Sequence, residues 1–175
     1  MPKRNDTIIV DKGANKILKD LKLADKGFGD AGYWGQKKHD DDGTATIPYI
    51  ASIHEFGTIN QDPTKGTAIP ARPFLRPTAD VNKSKYRKGI QKVGTQVIDG
   101  VPFKDAMTAF LEVVIGDVRL LLTKGDPSWR KLEDSTLASR PNKGSQPLFD
   151  TETLAGSGGT RVFVRGSKVK ETGAN

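Results

Sequence analysis

Few side chains in this sequence could do chemistry. None of the 175 residues is cysteine, which removes disulfides, thiolate metal sites, CxxC redox pairs and cysteine nucleophiles. The two histidines, His39 and His54, are the only imidazole bases. His54-Glu55 opens like the zinc-protease HExxH, but Thr58 stands where the second histidine should be. One imidazole cannot hold zinc in that geometry. Asp40-Asp41-Asp42-Gly43 looks like the middle of an EF-hand loop. With Gly43 at its glycine position, Lys38 and Tyr49 fall where the first and last carboxylate ligands belong. Gly27-Phe28-Gly29-Asp30-Ala31-Gly32 fits GxGxxG. A dinucleotide turn follows a strand and opens a helix, whereas this one follows a helical pattern and leads into Tyr33-Trp34-Gly35. There is no P-loop and no GxSxG elbow. The sequence therefore predicts no enzyme, no cofactor and no metal site.

The elements around these motifs follow from periodicity. Thr7 to Val10 is a β-branched run that reads as a strand. Asp11 is a candidate N-cap for a helix whose apolar face is Ala14, Ile17, Leu18 and Leu21. Gly27 to Gly35 reads as a strand or bulged hairpin arm, and Lys37 to Gly43 as a charged loop. Pro48 opens a helix on which Tyr49, Ile53 and Phe56 share a face, and Gly57 stops it. Thr58 to Ile69 is a polar loop, and prolines 70, 73 and 77 keep Ile69 to Pro77 extended or turned. A long helix is expected from Thr78 to Ile98, with Ala79, Tyr86, Ile90, Val93 and Val97 on one stripe. Gly89 and Gly94 should each weaken it by about 1 kcal/mol. Gly100 and Pro102 break it. The next helix, Lys104 to Thr123, is the most apolar, with Met107, Phe110, Leu111, Val114, Val118 and Leu121 facing the core.

Beyond Gly125 the chain becomes rich in Pro, Ser, Thr and Gly, with Trp129, Leu132, Leu137, Leu148, Phe149 and Leu154 as apolar anchors. Thr160 to Arg165 alternates strictly and reads as a strand. The fold class is α+β: a small, mostly antiparallel sheet packed against two long helices, with extended loop arms. One domain, residues 1–165, is expected. Its stretch 126–159 reads as an extended, partner-covered segment, and 166–175 as a polar tail.

The net charge of +7 is concentrated in residues 62–101, around Lys83, Lys85, Arg87, Lys88 and Lys92. Such a cluster suits contact with nucleic acid or an acidic protein partner, or is a solvated helix face. Aromatic residues do not interleave with it beyond Tyr86, so the single-strand stacking pattern is missing. No apolar run is long enough to span a bilayer, and the start of the chain has no apolar signal-peptide core. Folding in a cytoplasm, with no membrane partner, is expected.

Two separated segments carry a resemblance. In the first, Ala51, His54, Glu55, Phe56 and Gly57 are followed by Pro70, Arg72, Pro73, Phe74 and Leu75. In the second, Trp129, Leu132 and Thr136 are followed by Leu148, Asp150, Thr151 and Leu154. This resembles the tail-completion (neck) proteins of tailed bacteriophages, the family containing the lambda-like minor tail protein Z. Glu152 departs from that pattern, where the family has glycine.

The resemblance implies a structural virion protein. It would be a hexameric ring at the head-proximal end of the tail, completing the tail and joining it to the head. Its neighbours would be head-side connector or stopper proteins and tail-terminator or tail-tube proteins, with genomic DNA passing through without sequence readout. Assembly would take place in the host cytoplasm. A ring uses heterologous contacts, and arginine beside an aromatic is a common interface anchor. Arg72, Phe74, Leu75, Arg76, Trp129, Phe149 and Leu154 are thus the interface candidates; for Phe74, Leu75, Trp129, Phe149 and Leu154 burial within the subunit is the competing expectation. A tail-terminator or other connector subunit is the nearest alternative. A basic nucleic-acid-binding protein is the alternative of a different class.

Overall fold

The computed structural model describes residues 13–35, 45–58, 68–139, 145, 147–148 and 153–164. The expected strand at Thr7–Val10, the Asp11 cap, the loop at Lys37–Gly43 and Phe149 lie outside them. The elements in chain order are α1 (Ala14–Asp25), β1 (Gly27–Gly32), α2 (Ile47–Phe56), α3 (Leu75–Val81), α4 (Lys83–Ile98), α5 (Phe103–Lys124), α6 (Asp134–Ser139), α7 (Thr153–Ser157) and β2 (Gly159–Val164). The α+β class holds: a two-stranded antiparallel sheet packs against long helices.

α5 is the axis of the fold. Its 22 residues lie between Pro102, which fixes the entry angle, and Gly125, whose φ of 74° ends the helix. Two apolar clusters sit on it. Ile115, Val118 and Leu122 in its C-terminal half gather Ile47, Ala51, Phe74, Trp129, Leu154 and Ala155. Phe103 and Ala106 in its N-terminal half pack with Val93 and Val97 of α4. The buried face differs from the expected one. Leu111 and Val118 are inside as expected, but Ile115 and Leu122 fill the centre while Met107, Phe110, Val114 and Leu121 are only half-buried. Elements pack on α5 from more than one side, so its apolar arc is too wide for periodicity to fix its centre.

β1 and β2 join an early segment to the last described element, with Phe28 opposite Phe163 and Asp30 opposite Arg161. The glycines of GFGDAG now have a steric reason. A Cβ on Gly27 would lie 2.2 Å from the Phe103 ring, and one on Gly29 would lie 2.5 Å from Leu111. The motif is a strand laid directly on α5. Its other face carries Phe28 stacked on Phe163 at 4.9 Å, and Arg161 lies 4.0 Å from the Trp34 ring.

The expected helix from Thr78 to Ile98 begins earlier, at Leu75, and is interrupted at Asn82. Pro77 fits because it stands in the first turn, where its missing N–H satisfies no intrahelical bond anyway. Gly89 is not merely a weak point of α4: a Cβ there would lie 2.4 Å from the Phe110 ring, so this glycine lets α4 approach α5. Ile90, expected inside, is exposed, as are Ala79 on α3 and Leu18 on α1.

Candidate functional site

The resemblance rests on two segments far apart in sequence, and the fold brings most of their described residues to one junction. α2 starts with Pro48 in its first turn and ends at Gly57, φ 73°. Its inward residues are Ile47, Ala51 and Glu55, spaced by four. Glu55 is a carboxylate on an otherwise apolar face and only 2% exposed. Its partners explain why it can be there. Oε2 accepts from the backbone N–H of Phe74 at 2.8 Å and of Leu75 at 2.9 Å. Oε1 accepts from the N–H of Arg76 at 3.1 Å and from its guanidinium Nε at 3.0 Å. These are the orphan donors at the start of α3, so a side chain from α2 caps α3 from a distance.

Burial alone would raise the Glu55 carboxyl. The Leu75 and Phe74 amides, with the Arg76 side chain and amide, outweigh it and hold the carboxyl below its usual range. It is a carboxylate at neutral pH, accepting only.

The chain between the two helices is laced to α2 by its backbone. Thr58 N–H donates to Ile69 O at 2.9 Å, and Arg72 N–H donates to His54 O at 2.7 Å. Ile69 N–H donates to Thr58 Oγ1 at 2.8 Å. Gly57 sits so close that a Cβ would lie 2.9 Å from Ala71 N. The second segment locks in from the other side. Trp129 Nε1 donates to Pro73 O at 3.0 Å, and Arg72 Nε donates to Arg130 O at 3.2 Å.

This placement corrects several expectations. Phe74 has no exposed surface, and Trp129 and Leu154 are buried among the chain's own residues. They cannot be free anchors for a partner, because this chain already covers them. The same holds for 126–159 as a partner-covered segment: at Trp129 and Leu154 the cover comes from within. Arg72 is buried and Leu75 half-buried, so of the described interface candidates Arg76 alone is exposed.

The exposed apolar residues are elsewhere. Tyr49 and Phe56, about a third of a turn round α2 from Glu55, are 59% and 69% exposed. The Arg76 guanidinium lies 5.2 Å from the Phe56 ring. The Tyr49–Ile53–Phe56 stripe, which looks like a core face in sequence, points outward at both ends. The signal available was the second stripe, Ile47–Ala51–Glu55, ending in a carboxylate.

Lys83, Lys85, Arg87, Lys88 and Lys92 all lie on α4 and are exposed. Lys85 Nζ is held by both carboxylate oxygens of Asp117 at 2.7 Å. Among the described residues no group of three or more His, Asp or Glu could hold a metal ion. The His54 backbone is part of the junction, while His39 and Asp40–Asp42 lie outside the described residues. The junction fixes the direction of α2 and so fixes an outward aromatic face with an arginine beside it. No family model, curated protein or solved structure matches this chain.

Proposed function

We propose that this chain is a structural subunit of a tailed-phage neck, a ring that completes the tail and joins it to the head. The observation that carries this reading is the inverted α2: Glu55 inside and bonded, Tyr49 and Phe56 outside. A helix that spends a buried position on a charge while exposing two aromatics is shaped for a partner surface. The resemblance adds a second support, because the residues that carry it are largely those that build the junction. Arg76, anchored through its Nε on Glu55, holds its guanidinium against Phe56 at the edge of this face and so fixes the ring's position for a partner.

The experiment is a phage carrying Phe56→Ser. The purified variant should keep the melting temperature of the parent, because the ring is exposed. Particles should show separated heads and tails. Normal virion yield, or absence of the protein from parental particles, would overturn the proposal. The basic side of α4 favours a second reading, contact with the genome along the channel. Its mark is steep loss of DNA affinity as salt rises.

A further inference from the structure

Two exposed apolar stripes remain outside this face. On α4, Ile90 and Ile98 are 56% and 59% exposed, with Gly94 between them. On α5, Val113 and Leu120 are 47% and 50% exposed, with Gly116 between them. A Cβ at either glycine would meet nothing within 4 Å. Each stripe is thus large–small–large along one side of a rigid helix. The glycine at its centre leaves out the side chain that would hold a second helix away.

The two stripes are unlike in charge. Every charged residue of α4 is basic, and Arg87 lies one turn before Ile90 on the exposed side. On α5 the exposed acids Asp105 and Glu112 are two turns apart and flank the stripe on one side, while exposed Lys124 closes its C-terminal end one turn after Leu120. Lys85 is already neutralised by Asp117 within the chain, leaving Lys83, Arg87, Lys88 and Lys92 to face outward.

We infer that the α4 stripe of one copy packs on the α5 stripe of the next. This inference rests on the reading of the chain as a ring subunit. The surfaces are complementary in shape, apolar against apolar around two glycines, and in charge along one edge, where Lys83 and Arg87 beside the α4 stripe suit Asp105 and Glu112 beside the α5 stripe. They are also different patches of one subunit. Such a contact is heterologous, so each copy keeps a free stripe for a further copy until the ring closes.

The absence of cysteine makes the test clean, because thiols can be placed singly. Gly94→Cys and Gly116→Cys put them in open space at the centres of the stripes. Full-length G94C mixed with full-length G116C and bridged by a short bis-maleimide should give a covalent pair. The double variant should give a ladder that stops at the closed ring. A pair formed by either variant alone would mean a two-fold contact and would overturn the inference. In sedimentation, Ile98→Lys should weaken assembly at least about tenfold with the monomer still folded; unchanged assembly would count against the stripe. Closed rings that fail to cross-link sink this contact and leave the ring reading standing. A chain monomeric at every concentration and missing from particles sinks both.

Discussion

The junction around Glu55 and the outer side of α4 are both charged, and they treat charge in opposite ways. At the junction one carboxylate is removed from water and every available acceptor site is used on the start of α3. On α4 five bases stand in solvent and one of them, Lys85, holds an acid of the neighbouring helix. A buried charge with fixed partners sets geometry, and its loss leaves backbone donors stranded. An exposed charge contributes little to folding and is free to meet another molecule.

Substitutions can break or sharpen that contrast, and the largest effect should fall inside the junction. Phe74→Ala should cost about 3–5 kcal/mol in urea unfolding, since the ring has no exposed surface. A loss below about 1 kcal/mol would mean that the ring is not packed as described. Glu55→Ala should come next, at about 2–3 kcal/mol, because the first N–H groups of α3 lose their acceptor. Glu55→Gln, which keeps a carbonyl acceptor, should cost less than Glu55→Ala; equal losses would assign the effect to charge alone.

Acid should expose the same group. The Glu55 carboxyl is held below its ordinary value of 4.5, so its contribution is complete above that pH. It is lost as pH falls through the lower folded value. Melting temperature against pH should therefore drop more steeply on the acid side in the parent than in Glu55→Gln. Parallel curves would remove Glu55 from the acid response. The smallest effect belongs to α4, where Lys88→Ala should change stability by less than about 0.5 kcal/mol. A larger loss would show that the contrast between the two regions is false.

Much of this fold was legible in sequence, and the rest was hidden for identifiable reasons. α2 and α5 were readable within a residue of their ends, because Pro48, Gly57, Pro102 and Gly125 punctuate them locally. The start of α3 was not, because its cap comes from Glu55, a residue on another helix that no local pattern connects to Leu75. Period alone cannot tell which of two stripes is inside. On α2 the aromatic stripe faced out, and on α4 Ile90 did the same while Val93 and Val97 went in. Of the candidate site residues, Arg76 kept an exposed position. Phe74 and Trp129 look like possible anchors in sequence because an apolar residue in a proline-rich stretch has no local sign of what covers it.

The sheet has a consequence for how the protein is made. β1 lies near the start of the chain, but its partner β2 is the last element described, and both rest on α5. During synthesis β1 is out of the ribosome long before β2 exists. Pairing must wait until the whole segment from Tyr33 to Gly158 has been made and must close a very long loop, which is slow. Until then the side of α5 that holds Phe103 and Leu111 lacks its finished cover, and β1 lacks the strand it pairs with. The nascent chain is thus most exposed to aggregation and proteases just before β2 emerges, and a truncation that removes β2 should leave it in that state permanently.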